Sequence, residues 1–457
     1  VHALALDLAA LCHRRGLAEE AQRRYEQAAA LAPGPAAAYE ALRRAAGAAA
    51  TRLAGDDALD LHEAAARAAL DAGLPGRAAE ELARVAELAH RTPGMLTAVP
   101  APDAVTALLD EARRCGGGDP AARARIAVAE GFAGPLDDAR AGARAAAALG
   151  LARAAGDPLL ESAALDLVIT VRIAGGAHRD ALDSARARQE RLAGLPVDAV
   201  TSFELADAAD ILADTAIAAG DLGLARSAAD RIRALPVHGD VGHVAAARLL
   251  VVETLAGRLG EAVRHAGTFR ESWLRSGRPR IGNLRPAASA AAAAHAMRGE
   301  DEHRRDWSAV ADSLAPASRS GDVFDALHLL HRGRPEDAVQ VLRTPPEDAG
   351  AFVWLDALWR PWYAALHAEA AVLAGHPRAA ARVASARRVA AQNAVAATIV
   401  DRAAALLDGD VDSVLATAAA FDAADCPYQR ARSLLLAGPP HRSRGAAALA
   451  ELGAVAE

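Results

Sequence analysis

Apolar residues recur at helical spacing along almost the whole chain. Leu4, Leu6, Leu8, Leu11 and Leu17 open the pattern, and Ile211, Leu212, Ile217 and Leu222 continue it. Two-residue alternation, the mark of a half-buried strand, is rare. Helical stretches of about 12 to 18 residues are punctuated by Gly, Pro and Asp, as in Ala155-Gly156-Asp157-Pro158. There a Gly suits a left-handed helix end and an Asp can cap the next start. The pattern predicts an all-α chain of short helices.

The first hairpin carries a more specific signal. Leu8, Gly16, Ala21, Tyr25, Ala28 and Pro33 stand at the offsets of a tetratricopeptide repeat, a helix-turn-helix unit of about 34 residues. Gly16 closes the first helix, Ala21 is small where the helices cross, Tyr25 fills the gap between hairpins and Pro33 stops the second helix. The same Gly-to-Ala step of five recurs at Gly73, Gly134, Gly176, Gly220, Gly257, Gly333 and Gly375. In a chain with 36 glycines and abundant alanine the count alone is at chance level. The helical patterns on either side of each step carry the argument. Later glycines are separated by 42, 44, 37, 76 and 42 residues, and 76 is twice 38. This predicts a period of about 40. The fold class predicted is a tetratricopeptide-like α-solenoid, a right-handed superhelix of about ten helical hairpins. It runs as one array over residues 1–457, with candidate breaks at 92–120 and 276–286, where Pro and Gly cluster.

Composition supports this picture. Hydrophobic residues are 53% of the chain but aromatics only 3%. Alanine has the highest helix propensity and allows helices to approach closely, whereas sheets favour residues scarce here. All 51 basic residues are arginine. With no lysine, a phosphate-binding loop or Schiff base that needs one is excluded. The net charge of −7 argues against direct nucleic-acid contact by the chain as a whole. Cys12, Cys115 and Cys426 are far apart, which fits a reducing, cytoplasmic setting. No apolar run reaches the length of a membrane span and no signal peptide is expected.

Catalytic signatures are missing: no nucleophile elbow, no H-E-x-x-H, no Walker A loop and no G-x-G-x-x-G. No enzyme activity, cofactor or metal is expected. Asp56-Asp57-Ala58-Leu59-Asp60 resembles a magnesium-diphosphate motif, but acids after Gly55 also complement a helix dipole, and that reading takes precedence. His328 and His331 stand one helical turn apart without further ligands nearby. Five of the chain's 15 aromatics, Phe352, Trp354, Trp359, Trp362 and Tyr363, fall within 12 residues, with His367 one turn beyond. Pro361 is expected in the first turn of a helix running to Gly375. Such a cluster is either local packing or a ligand wall, and packing is the commoner use. Arginines concentrate at Arg264, Arg270, Arg275, Arg278, Arg280 and Arg285 against the single acid Glu271. Between Ala370 and Val400 stand Arg378, Arg382, Arg387 and Arg388 and no acid. These stretches suit an anionic ligand or acidic partner, or simply a solvated helix face.

The segments Arg360–Gly375 and Phe421–Gly438 resemble the C-terminal repeat region of the large ATP-binding LuxR-type transcriptional regulators of actinobacteria, related to the maltose regulator MalT. Cys426-Pro427-Tyr428 leading into a final hairpin around Gly445–Gly453 adds to the resemblance. It implies an effector-sensing and protein-interaction solenoid that couples binding to attached modules. The alternative is a stand-alone tetratricopeptide-like interaction scaffold. No nucleotide-binding or helix-turn-helix domain is expected within the chain. The ligand or partner is expected in the concave groove, at Trp354, Trp359, Trp362, Tyr363 and His367, with Arg270, Arg275, Arg278 and Arg280 as anion contacts. Self-association remains open.

Overall fold

The computed structural model describes residues 1–116, 118–236, 242–279, 282–314, 319–348 and 353–455. Among these, the chain forms 24 α-helices and no strand. The expectation of an all-α chain of stacked hairpins therefore holds. No helix among the described residues is long and apolar enough to cross a membrane.

The chain divides into two compact units. The first comprises Val1–Gly175, Asp183–Ile211 and Arg231–Gly242; the second comprises Gly176–Leu182, Leu212–Asp230 and His243–Glu457. The first contains α1 (His2–Arg14), α2 (Ala18–Ala30), α3 (Pro35–Thr51), α4 (Gly55–Asp71) and α5 (Pro75–Arg91). It continues with α6 (Pro102–Gly116), α7 (Pro120–Ala133), α8 (Ala141–Ala155) and α9 (Pro158–Ala174). The division runs through α10 (His178–Leu192), α11 (Ser202–Ala219) and α12 (Leu222–Ala234). The second unit contains α13 (His243–Ala256), α14 (Leu259–Arg275), α15 (Arg285–Met297), α16 (Asp301–Leu314), α17 (Arg319–His331) and α18 (Pro335–Val341). It ends with α19 (Trp354–Leu373), α20 (Ala379–Ala390), α21 (Ala394–Asp408), α22 (Val411–Ala423), α23 (Pro427–Leu436) and α24 (Arg442–Glu451).

Local chemistry sets the helix ends. Proline occupies the first turn of α3, α5, α7 and α9, where its missing N–H has no helical partner to lose. Asp157 accepts from the Leu159 N–H at 2.8 Å, capping α9. Gly16 ends α1 with φ +77°, a value that disfavours any side chain. Ala21, Tyr25 and Ala28 are buried as the repeat pattern expects, but Leu8 is 40% exposed and packs no core. The Gly-to-Ala step marks a true turn at Gly73, Gly176, Gly220, Gly257 and Gly333, each followed by a buried alanine. It fails at Gly134, where Ala139 is exposed in a turn. After Gly375 the buried residue is Ala379 rather than Ala380.

In the second unit each odd-numbered helix from α13 to α19 packs on the next odd-numbered one, and α13, α15, α19 and α21 pack on the helix that follows each directly, as does α17 on α18. This is the nearest-neighbour stacking of a helical repeat. Successive first helices start at His243, Arg285, Arg319, Trp354 and Ala394, steps of 42, 34, 35 and 40 residues. The double interval from Gly257 to Gly333 is resolved by Gly299, a left-handed turn with Arg304 in place of the alanine. The stretch 92–120 holds α6, which packs on α5 and α7 in the first unit. In 276–286, residues 280 and 281 lie outside the described residues and a short 3-10 turn at Gly282–Leu284 leads into α15.

Candidate functional site

Helix α19 begins at Trp354, so Pro361 lies inside it rather than in its first turn. A proline there cannot donate to the carbonyl four residues back, which is Ala357. His178 Nε2 lies 3.0 Å from that oxygen and donates to it, repairing the gap. One residue on, Trp362 donates from Nε1 to Ile217 O at 2.9 Å. Asn393 donates to Ala218 O at 2.9 Å, while its Oδ1 accepts from the Ala396 N–H at 2.8 Å and caps α21. The two side chains thus add partners to carbonyls in the last turn of α11, of which Ile217 O also accepts from the Gly220 N–H at 3.1 Å. Trp359 packs edge-on against Phe324 with centroids 5.2 Å apart. Trp359 and Trp362 are therefore held in the core by specific partners. Trp354 is half-buried, and Phe352 lies outside the described residues.

Tyr363 and His367 occupy a different environment. Tyr363 donates to Thr344 O at 2.9 Å and stacks on His367, with centroids 6.3 Å apart and planes 17° from parallel. The Arg319 guanidinium sits 5.1 Å over the Tyr363 ring. Arg319 also donates to the carbonyls of Pro346 and Asp348, at 3.2 and 2.6 Å. His367 is 5% exposed, and its Nε2 has no hydrogen-bond partner among the described residues. The Nη1 of Arg382 and the Nε of Arg360 are likewise buried and unpartnered. Burial, reinforced by Arg382, pushes the His367 pKa down to about 4, so the ring is neutral near pH 7. The Glu347 carboxylate opposes this shift. The result is a basic niche where α19, α20 and the segment around Thr344–Asp348 meet, with buried nitrogens that have no hydrogen-bond partner among the described residues.

The other predicted arginines go elsewhere. Arg270 lies 5.6 Å over the Trp307 ring, and Trp307 stacks on Phe269 at 5.8 Å. Arg275 donates to Ser272 Oγ at 3.1 Å. Arg278 has φ +61° in the turn after α14. Arg280 lies outside the described residues. None of these partners belongs to the aromatic cluster. In the aspartate-rich segment, Asp57 pairs with Arg52 and Asp56 accepts from Thr97, both near the start of α4. His331 Nε2 meets Val455 O at 3.2 Å, and His328 faces Asp325 at 4.0 Å, so the pair does not converge.

Two buried ionic networks escape sequence reasoning. In the first unit Arg91 reaches Glu87, Asp166, Glu204 and Asp207, at 2.9, 2.7, 2.6 and 2.7 Å. Arg188 pairs with Glu204 at 2.9 Å and with Asp207 at 2.6 Å, and Arg125 with Glu87 at 2.7 Å. Burial alone would raise Glu204, but Arg91 and Arg188 outweigh it and hold the carboxyl well below its usual range. The adjoining cavity, lined by Arg43, His62, Glu81, Arg84 and Phe203, is about 30 Å³, room for about one water. In the second unit Arg402 and Arg432 share one carboxylate, Glu369, at 2.7 and 3.3 Å. Arg402 also donates to Gln429 Oε1 at 2.6 Å and to Ser433 Oγ at 3.1 Å. Beside it, between α21 and α22, lies an open cleft of about 430 Å³ lined by Arg387, Thr398, Asp401, Asp408, Asp410 and Ser413.

No protein-family model matches the chain, and no curated protein matches it. Among solved structures, a protein described as "Circular tandem repeat protein with novel repeat topology and enhanced subunit contact surfaces" is similar at 16% identity. That match covers 96% of this chain and 87% of the other, at a TM-score of 0.14, and it bears on neither fold nor function.

Proposed function

We propose that the chain is a binding and relay module of helical repeats, the effector-sensing part of a LuxR/MalT-like regulator, and that its effector is a small anion. The observation that carries this reading is the basic niche at Tyr363 and His367. Buried N–H groups without acceptors cost free energy, and an anionic oxygen would supply the missing acceptor. Arg378, just before α20, and Arg382 within it add positive charge, and no acid stands between Ala370 and Val400. The same helix also bears Trp362 and the Ala357 carbonyl, held by Ile217 and His178. An effector that binds one setting of α19 more tightly than another shifts the balance between them; equal affinity for both would shift nothing.

The test is a thermal-shift and tryptophan-fluorescence titration of the purified chain with phosphorylated and carboxylated metabolites. An anion that stabilises the wild-type chain but not Arg382→Gln or His367→Ala supports the reading. A stabilising ligand whose effect survives both substitutions removes the niche as its site.

A second reading is a protein-interaction scaffold. It rests on the open cleft between α21 and α22, where Asp401, Asp408 and Asp410 face only Arg387. A partner there would present a basic segment. Salt-sensitive binding of an arginine-rich peptide, lost in Asp401→Asn with Asp408→Asn, is its expected signature.

A further inference from the structure

Helix α15 ends and α16 begins in a tight turn that gathers two imidazoles and a carboxylate. Gly299 adopts φ +76°, and the Glu300 N–H donates to His295 O at 2.9 Å, folding the chain back on the helix end. This places the Glu300 side chain against His295, whose Nδ1 lies 2.5 Å from Glu300 Oε2. Three residues on, in the first turn of α16, His303 stacks on His295 with centroids 5.0 Å apart and planes 14° from parallel. One donor atom from each of the three side chains lies within 4.8 Å of the other two. No other such group occurs among the described residues.

We propose that His295, Glu300 and His303 bind a divalent first-row transition ion of the zinc class. The donor set is two nitrogens and one oxygen, the mixture such ions favour over magnesium or calcium. Ligand bonds of about 2.0–2.2 Å put tetrahedral donors about 3.3 Å apart. The donors stand within 4.8 Å of one another, and Glu300 is half-buried and His303 exposed, which leaves both side chains room to adjust. Arg298 Nε donates to Glu300 Oε1 at 2.8 Å, orienting the carboxylate and leaving Oε2 toward His295. Such outer partners typically accompany metal ligands. With one ligand exposed, water completes the coordination. The ion would clamp the α15–α16 hairpin beside Met297, whose carbonyl accepts from the Val455 N–H at 2.9 Å.

The test is calorimetric titration of the chelator-treated full chain with zinc chloride, alongside cobalt(II) absorption spectra and thermal unfolding. Expected are one tight zinc site per chain, a raised Tm, a tetrahedral cobalt spectrum and no response to magnesium. His303→Ala removes an exposed side chain, so the fold should persist while zinc affinity falls at least about tenfold. Glu300→Gln should weaken binding similarly. Absence of tight zinc binding to the wild-type chain overturns the proposal. So does a site that keeps full affinity in both variants, since the ion would then sit at other histidines.

Discussion

His178 donates from Nε2 to the carbonyl of Ala357, the oxygen that Pro361 leaves without its helical partner. A residue at the start of α10 thereby completes the hydrogen bonding of α19, 179 positions further along the chain. The proline removes one helical hydrogen bond and the histidine replaces it. The effector reading depends on this, because the same helix carries Tyr363 and His367.

His178→Ala should therefore destabilise the chain by about 1–3 kcal/mol, the cost of a buried acceptor left bare. Pro361→Ala restores an N–H to the helix. In the His178→Ala background it should recover part of the loss. Urea unfolding of the two single variants and the double variant closes the cycle. Strict additivity would mean that the two residues do not share the Ala357 oxygen.

Arg91 is the hub of the first unit's network. Arg91→Met keeps much of the volume but leaves Asp166, Glu204 and Asp207 short of a cation. The expected loss is about 3–5 kcal/mol, as for other buried pairs broken on one side. Chemical denaturation measures it. A loss under about 1 kcal/mol would show that water or a shift of Arg188 replaces the guanidinium.

Two glycines in one hairpin should respond oppositely. Gly257 has φ +87°, and a Cβ there would collide with the Tyr428 side chain. Gly257→Ala should cost more than about 1 kcal/mol. Gly267 sits mid-way along α14 with nothing within 4 Å of an added Cβ. Gly267→Ala should stabilise by about 0.5–1 kcal/mol. Thermal melts of the two variants should move in opposite directions.

Acid should weaken the second unit. His328, His331 and His367 are each pushed down to about 4, chiefly by burial, from an ordinary value of 6.5. The unfolded chain takes up these protons first, so stability falls as the pH drops from about 6.5 toward 4. Asp322 acts the other way. Burial, then Asp325 and Asp356, raises it to about 6, so its contribution is present in acid and lost as pH rises from about 4 through 6. The three histidines oppose Asp322 and also Asp325, which burial raises in the same direction. The urea midpoint should be level above about pH 6.5 and decline below it. His328→Gln should flatten that decline and Asp322→Asn should steepen it.

The α-helical character, the hairpin turns and the small-residue core were all legible in the amino-acid order. Gly16, Asp157 and the prolines at helix starts act on the backbone within a few residues, and Ala21 or Ala262 needs only the repeat spacing to be placed in the core. The aromatic cluster was legible as one helix, yet its division was not. Trp362 meets a carbonyl 145 residues away and Tyr363 one 19 residues away. Only the packing of helices decides which face each ring enters. The ionic networks are hidden for the same reason. Arg91, Asp166 and Glu204 are separated by 75 and 113 positions, and nothing local distinguishes them from solvated charges. Sequence periodicity records which side of a helix is buried. Which charge meets which, and which nitrogen is left without an acceptor, depends on distances that exist only once the helices are stacked.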